Sequence, residues 1–158
     1  LPYNKLLHGA MYLKHVQELE KMDYLFACDV HMRFNETVGS EILSARTAVL
    51  HPEFMGTYGK YETRPLSQAL VRHGDGIHYF TGSFYGGATK EFLKMMRAVV
   101  ADIFTDLDKD IVATSHDDSY LNCYLIANPP TKILNPSYCY PEKACLPYKK
   151  KIIAFGDL

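Results

Sequence analysis

The 158-residue sequence contains no tryptophan, only four cysteines, no long apolar run and almost no net charge. A membrane-spanning helix needs about 20 consecutive apolar residues, and no stretch of this sequence is that long and apolar. The sequence therefore predicts no such helix. The formal net charge of −1 creates no strong field that would attract nucleic acid or an anionic membrane. We therefore expect no nucleic-acid partner and no direct contact between this chain and a membrane.

The four cysteines match no CxxC spacing of the kind that binds a metal. Cys28 lies in an apolar run and Cys123 in a helical pattern, which predicts that both are buried thiols. Cys139 and Cys145 flank a proline-containing loop and could pair in an oxidising compartment. Closeness in sequence does not establish disulfide geometry, so the sequence leaves that pairing open.

Several common signatures of catalysis or nucleotide binding are also missing. The sequence has no GxxxxGK[ST] phosphate loop and no GxGxxG, HExxH or GxSxG motif. Its 47% apolar and 22% charged residues are ordinary for a globular protein. A chain of this length can bury a core without metals or disulfides. Because the common motifs are missing, the function must be inferred from less specific local patterns.

Apolar periodicity and capping residues predict three helices. One is expected over residues 6–22, and a second from a Thr89 cap to about Asp108. A short third helix is expected after the polar cluster at residues 115–119, running through Leu125 and stopped by the prolines at 129–130. The apolar face of the second helix is expected to consist of Phe92, Met96, Val99, Val100, Ile103 and Leu107.

Short apolar segments predict strands at residues 24–28, 45–50, 77–85 and 152–155. The first is apolar throughout, which is typical of a strand covered on both faces inside a parallel or mixed sheet. The third is expected to be broken by Gly82 and ended by the glycines at 86–87. Residues 51–76 are rich in Gly, Pro, Tyr and charge, which predicts a long loop. Helices interleaved with strands predict an α/β fold.

A carboxylate and an imidazole follow the first predicted strand. Ligands in open α/β sheets bind beyond the carboxyl ends of strands. In an extended segment Asp29 and His31 point to the same side and can share one cation. Carboxylates favour hard cations and imidazoles favour borderline metals. On spacing alone, a strand-end cap and a surface histidine explain the two residues better, because such a triplet is common by chance.

Two further segments could carry chemistry. In the run from His116 through Asp117 to Asp118, adjacent carboxylates repel unless a cation, donors or a helix N-terminus offsets their charge. Such a pair can divide protons at a catalytic site, but helix capping by Asp or Ser explains it equally well. The glycines around Ser83 permit close approach to a ligand, although a strand ending in a glycine turn is the better explanation in isolation.

These segments gain specificity because they occur together in a fixed order. The ordered segments are Asp23-Tyr24-Leu25, Asp29-Val30-His31-Met32, Leu50-His51-Pro52-Glu53-Phe54, Tyr61-Glu62-Thr63-Arg64-Pro65, Gly82-Ser83-Phe84-Tyr85-Gly86-Gly87, His116-Asp117-Asp118-Ser119-Tyr120-Leu121-Asn122 and Pro130-Thr131-Lys132-Ile133-Leu134-Asn135-Pro136. In this order the sequence resembles glycosyltransferase family 6, which includes the blood-group A and B transferases, the α-1,3-galactosyltransferase and the Forssman synthase. The resemblance covers nearly the whole chain from about residue 12.

The resemblance implies an α/β nucleotide-sugar transferase fold of the GT-A type, with a mixed sheet flanked by helices. It implies retaining transfer of galactose or N-acetylgalactosamine from a UDP-sugar to a β-galactoside in a glycan or glycolipid, forming an α-1,3 bond. Residues 1–158 would then be the C-terminal portion of a single catalytic domain whose first part, with most of the uridine site, has no counterpart here. It also implies the lumenal side of the Golgi membrane, through an anchor outside this chain.

The resemblance also implies roles for single residues. Asp29 and His31 correspond to the family's metal motif, which holds Mn²⁺ against the diphosphate, with His31 in place of its second Asp. Asp118 stands where the family has a catalytic Glu, a nucleophile or a stabiliser of the cationic transition state. The implied donor contacts are Asp29, Thr81, Gly82, Ser83, His116 and Asp117, and the implied acceptor contacts are His51, Tyr61 and Asp118.

Some positions depart from the family pattern. Some bacterial relatives lack the acidic pair and work without a metal. Asp118 is one methylene shorter than Glu, and a misplacement of about 1 Å can cost about 10²-fold in rate. Ser115 stands where the family has a Trp that packs near the acceptor sugar. Ser83 is bulkier than Gly and would crowd an N-acetyl group, which predicts galactose over N-acetylgalactosamine.

Two other functions remain open from the sequence. A relative without catalytic activity could keep a carbohydrate-binding groove, formed by His51, Tyr61, Thr81 and Asp117. A metal-dependent hydrolase could instead use Asp29, His31 and His116, although only their residue types support it.

Overall fold

The computed structural model describes residues 13–156 of the chain. This part of the chain forms three α-helices: α1 (Val16–Leu19), α2 (Thr89–Leu107) and α3 (His116–Ala127). It also forms seven strands: β1 (Tyr24–Cys28), β2 (Met32–Phe34), β3 (Thr47–Leu50), β4 (Phe80–Ala88), β5 (Lys132–Leu134), β6 (Tyr140–Pro141) and β7 (Ile152–Ala154). The predicted α/β class is confirmed.

The strands form two mixed sheets. The larger sheet has the order β1-β4-β3-β5, in which only the β3–β5 pair is parallel. The smaller sheet has the order β2-β7-β6, with β2 antiparallel and β6 parallel to β7. The mixed sheet flanked by helices that the family resemblance implied is therefore present.

The main core lies between α2, α3 and the larger sheet. The predicted apolar face of α2 is buried from Phe92 to Ile103, with Leu107 half-buried. Burying one such large side chain is worth about 1.5–3 kcal/mol, so this face attaches the helix to the sheet. A second buried cluster joins Val49 and Phe84 of the larger sheet to Ile152 of the smaller one.

Strand β1 has the predicted bounds but not the predicted environment. It pairs only with β4 within the described range, and Tyr24 at its start is 41% exposed. The predicted position in the interior of a sheet is therefore wrong, because β1 is an edge strand of the described sheet. The run is apolar because Leu25 packs against the main core while Phe26 stacks on Phe84, 5.6 Å away between ring centroids.

Strand β4 begins at Phe80 rather than at residue 77 and continues through all three glycines that were expected to break or end it. A Cβ added to Gly86 would lie 2.3 Å from the Leu25 carbonyl oxygen. At Gly87 it would lie 2.3 Å from the Ala45 carbonyl oxygen. The glycines therefore let neighbouring backbone approach a continuous strand, instead of terminating it.

The helix predictions need smaller corrections. Of the helix predicted over residues 6–22, the described chain is helical at Leu13, Lys14 and Val16–Leu19, and residues 6–12 lie outside the described range. Thr89 is the first residue of α2 rather than its cap, and its hydroxyl donates to the Met22 carbonyl oxygen. The short strands β2, β5 and β6 were not predicted, because segments of two or three residues without a continuous apolar run carry too little pattern.

All four cysteines are free, so the possible Cys139–Cys145 disulfide does not form. Cys139 is buried and Cys145 is exposed. Cys28 is also exposed, contrary to the prediction of a buried thiol, because it ends the edge strand β1; Cys123 is half-buried. No helix between residues 13 and 156 is long and apolar enough to cross a membrane.

Candidate functional site

The pairing between β3 and β4 is interrupted where Thr81, Gly82 and Ser83 occur. Ala48 pairs with Tyr85, but Leu50, only two residues further along β3, pairs with Phe80. Residues 81–84, which we call the bulged segment, therefore stand opposite a single residue of β3. Bulges re-aim side chains and are frequent beside active sites. Here the bulge moves residues 81–83 out of the regular ladder.

The end of β1 meets the bulged segment from one side. The Asp29 backbone N–H donates to the Ser83 carbonyl oxygen at 3.0 Å, which places Asp29 beside the residues implied in donor choice. Asp29 Oδ2 and His31 Nε2 are 3.8 Å apart. A cation about 2.1 Å from each atom fits between them, so both side chains can bind the same ion.

The first turn of α3 meets the bulged segment from another side. A Cβ placed on Gly82 would lie 2.0 Å from Asp118 Oδ1 and 3.8 Å from Asp117 Oδ2. Both carboxylates therefore face the bare backbone of Gly82. His116, which starts the helix with a positive φ of 48°, is exposed. Ser115 precedes the helix without a side-chain cap bond, so capping by Ser115, one of the alternatives left open, does not explain this cluster.

A buried asparagine connects these two elements. Asn122 is fully buried, and its side-chain amide bonds both backbone groups of Phe80 at 2.8 Å. The same amide donates to the Asp118 carbonyl oxygen at 2.8 Å. Asn122 thus links the residue before the bulged segment to the candidate catalytic residue, a role that the sequence did not reveal.

Cys139 lies behind the bulged segment. Its thiol is 3.8 Å from Thr81 Oγ1, which also accepts the Ser83 backbone N–H at 3.1 Å. Burial raises the pKa of Cys139 to about 12; the hydrogen bond with Thr81 opposes this increase, and the charges of Asp29 and Asp118 add to it. Cys139 is therefore a neutral packing residue at the back of the site.

The implied acceptor residues lie in an aromatic cluster beside this site. His51 is 4% exposed and its ring contacts Phe54 and Tyr79 at centroid distances of 4.8 and 5.7 Å. Tyr61 is 6% exposed, and its hydroxyl donates to the His78 carbonyl oxygen at 2.8 Å. The Tyr61 hydroxyl hydrogen is therefore already used within the fold.

Tyr79 joins that cluster to the carboxylates, although the sequence did not single it out. Burial, opposed by a hydrogen bond with Ser115, raises the pKa of Tyr79 to about 12, and Asp118 and Asp117 add to the increase through their charge. The Tyr79 ring also packs against Tyr61 at 5.1 Å. The structure thus brings the implied acceptor residues and the implied donor residues into one region.

The protonation state of His51 gives a prediction for stability. Burial first, and the positive charge of Lys60 second, lower the pKa of His51 from 6.5 to about 4. Between pH 6.5 and 4 the unfolded chain takes up a proton that the folded chain refuses, so the fold loses stability as pH falls. At pH 4 the free energy of unfolding is lower by about 3 kcal/mol than it would be without this difference in pKa.

Urea unfolding of the wild-type protein and the His51→Gln variant at pH 7.5 and 5 tests this prediction. We expect the wild type to lose more stability than the variant over this range, because Gln does not titrate. Equal losses would show that His51 is not the responsible group.

A second buried cluster fixes the segment before α3. Glu62 is 1% exposed and accepts bonds from the Arg64 guanidinium and from the Thr114 backbone N–H, the latter at 2.9 Å. Chiefly the Arg64 hydrogen bond holds the pKa of Glu62 down to about 2, against the opposing effect of burial. Because Thr114 is two residues before His116, this charged cluster fixes where α3 begins.

The structure does not support a three-residue metal site for the hydrolase hypothesis. Between residues 13 and 156, no group of three His, Cys, Asp or Glu side chains is placed to hold a metal. Asp29 and His31 lie together, but His116 does not complete a metal-binding group with them.

Comparison with known proteins gives one consistent family. The profile of Glycosyltransferase family 6 matches residues 8–157. "Histo-blood group ABO system transferase 1" of Rattus norvegicus is 37% identical over 143 residues, covering 87% of this chain and 41% of the relative. "Globoside alpha-1,3-N-acetylgalactosaminyltransferase 1" of Mus musculus is 32% identical over 142 residues, covering 88% of this chain and 41% of the relative.

A third relative has a less specific name. "Glycosyltransferase 6 domain-containing protein 1" of Rattus norvegicus is 31% identical over 147 residues, covering 90% of this chain and 47% of the relative. The chain therefore spans less than half the length of these curated relatives.

Proposed function

The chain belongs to glycosyltransferase family 6, and from this premise we propose that it is part of a retaining transferase that uses a UDP-sugar donor. The transferred sugar is galactose or N-acetylgalactosamine, and it joins a β-galactoside of a glycan or glycolipid in α-1,3 linkage. The observation that carries this proposal is the contact between Asp118 and the bare backbone of Gly82. It brings the candidate catalytic carboxylate against the strand that holds the implied donor residues.

Asp118 has the central chemical role in this proposal. In glycosyl transfer the anomeric carbon becomes cationic, and a nearby carboxylate stabilises or traps it. Asp117 and His116 contact the donor sugar from the same helix start, opposite Thr81 and Ser83. The Gly82 backbone lets the sugar-binding strand and the carboxylates approach without a side chain between them.

The acceptor lies on the side of His51. His51 Nδ1 accepts the Glu53 backbone N–H at 3.3 Å, so the proton of the neutral ring is on Nε2. Nε2 is then the nitrogen that can donate to an acceptor hydroxyl. The low pKa of His51 keeps the ring neutral at physiological pH.

We also propose Mn²⁺ as cofactor, held by Asp29 and His31. Their 3.8 Å separation fits one ion, and sites for phosphate-bound cations commonly use one or two protein ligands plus substrate phosphates. When bound, the ion would neutralise negative charge on the departing UDP. Asp29, fixed to Ser83 through its backbone, keeps this pair beside the donor segment.

Donor choice falls on Ser83. Its hydroxymethyl group occupies space in the bulged segment that a Gly would leave open, so we propose galactose over N-acetylgalactosamine. A difference of one small group in a pocket is worth about 10-fold or more in discrimination. Equal turnover of UDP-galactose and UDP-N-acetylgalactosamine would contradict this preference.

A carbohydrate-binding protein without transfer activity is the alternative. The observation that favours it is that only two ligands, one of them a histidine, approach each other at the proposed metal site in the part of the chain described. Such a protein would bind a β-galactoside near His51 but would not release UDP from a UDP-sugar.

Calorimetric titration of UDP into this chain, with and without Mn²⁺, tests the proposal. We expect micromolar binding that Mn²⁺ strengthens, because the ion would join Asp29 and His31 to the diphosphate. Failure to bind, both in this chain and in one extended by the preceding encoded residues, would favour the binding protein. UDP release from the two UDP-sugars then measures turnover directly.

By resemblance to the family, we further propose that the protein acts on the lumenal side of the Golgi membrane, through an anchor outside this chain. Fluorescence microscopy of the tagged protein against a Golgi marker tests this location. A cytosolic distribution of the tagged protein would contradict it.

A further inference from the structure

The side chain of Asn122 makes three hydrogen bonds while being fully buried. Its Oδ1 accepts the Phe80 N–H, and its Nδ2 donates to the Phe80 carbonyl oxygen, both at 2.8 Å. Nδ2 also donates to the Asp118 carbonyl oxygen, one helical turn earlier, at 2.8 Å. Asn122 therefore bonds the Phe80 backbone as a neighbouring strand would. The same side chain also bonds the backbone of its own helix at Asp118.

The position of these bonds relates them to the site. Phe80 is the first residue of β4; it pairs with Leu50 of β3, and the bulged segment follows it directly. Because the bulged segment is not regularly paired with β3, its path depends on how its two ends are held. At one end, Asp29 binds Ser83 through its backbone; at the other end, Asn122 binds Phe80.

We propose that Asn122 is a positioning residue for sugar transfer. By holding Phe80 and Asp118 with one rigid amide, it fixes the bulged segment relative to the Asp118 carboxylate. The inference rests on the proposed function, because it assigns the donor sugar to the space between these two elements. Displacements of about 1 Å at such a site can cost about 10²-fold in rate.

The Asn122→Asp variant is the sharpest test, because it keeps the size and shape of the side chain. A carboxyl group has no N–H and at most one O–H to donate, so at least one of the bonds to the Phe80 and Asp118 carbonyl oxygens is lost. A buried carbonyl oxygen without a donor is costly, which favours a shift of the strand relative to the helix.

Two variants of the same helix serve as controls. Asn128→Asp makes the same chemical change at the end of α3, where the amide donates to the Tyr124 carbonyl oxygen at 3.1 Å. Tyr120→Phe removes a buried hydrogen bond from α3 to Asp106 of α2, 2.9 Å long. The second control also removes a buried hydrogen bond, but one that does not join α3 to Phe80.

The functional measurement is kcat for each UDP-sugar, and the ratio between the two, at a temperature where all variants are folded. For Asn122→Asp we expect kcat to fall about tenfold or more, because the transition state depends on fine placement. The ratio between the two donors should change as well. Both controls should retain the wild-type ratio, whatever their melting temperatures.

Hydrogen exchange of backbone amides provides a measurement that needs no activity. The Asn122→Asp variant should lose protection across residues 81–85, whereas neither control should. Unchanged local exchange would overturn the inference. So would altered exchange combined with an unchanged donor ratio and unchanged kcat. If the wild type turns over neither donor, the proposed function fails, and exchange alone decides whether Asn122 anchors the segment.

Discussion

The Asp118→Asn variant is expected to lower the turnover of UDP-sugar about 10²- to 10³-fold, the usual cost of removing one electrostatic stabiliser of a transition state. Asn keeps the size of the side chain and its place against Gly82, but it has no negative charge to offer the cationic anomeric carbon. Single-turnover measurement of sugar transfer gives the rate, and titration of UDP gives its affinity. We expect the affinity to remain close to that of the wild type.

The matched control for this variant is Asp110→Asn. Asp110 is exposed in the turn after α2 and has a positive φ of 56°, a conformation that Asn adopts readily. The same loss of one negative charge should leave both turnover and stability unchanged there. An Asp118→Asn protein that keeps more than about a tenth of the wild-type rate would remove Asp118 from the catalytic role.

Part of the fold was legible in local patterns. The apolar run at residues 24–28 and the periodicity after Thr89 predicted β1 and α2 nearly to the residue, because each pattern spans several consecutive positions. The predicted position of β1 in the sheet was wrong. An apolar run indicates that its side chains are covered, but it does not indicate how many strands flank it. The prediction that glycines end β4 was wrong for a similar reason. These glycines are needed because neighbouring backbone approaches closely, and the local sequence does not show that approach.

The site followed a different rule. The family resemblance named Asp29, Asp118 and the bulged segment, and the structure shows that these residues are neighbours. It gave no role to Asn122 or Cys139, whose partners lie 42 and 58 residues away in sequence. Such contacts leave no local pattern. A buried asparagine in a helix is the one signal that could have pointed to Asn122, because a buried amide needs bonded partners.

The length of Asp118 is also easier to understand in the structure. One methylene shorter than the family's Glu, its carboxylate nevertheless reaches Gly82, where a Cβ would lie 3.1 Å from its Cγ. A glycine strand and a short acid therefore fit each other here. This fit makes position 82 sensitive to the smallest possible side chain.

The Gly82→Ala variant is expected to lower turnover about 10²-fold, because the added Cβ would lie 2.0 Å from Asp118 Oδ1 and force the carboxylate away. Stability should fall only by about 0.5–1.5 kcal/mol, since a side-chain rotation can relieve the contact. Gly82 does not have a positive φ, so the backbone tolerates Ala. Rates of sugar transfer and urea unfolding measure the two effects separately.

Two further proteins decide whether Gly82→Ala acts through Asp118. Gly39→Ala also brings a Cβ close to a carboxylate, Glu41 Oε2 at 2.9 Å, but at a surface loop, so it should retain full turnover. In the Asp118→Asn background, Gly82→Ala should slow the reaction little further, because the charge that it displaces is already gone. Additive losses would mean instead that Gly82 matters for contact with the donor and not for the place of the carboxylate.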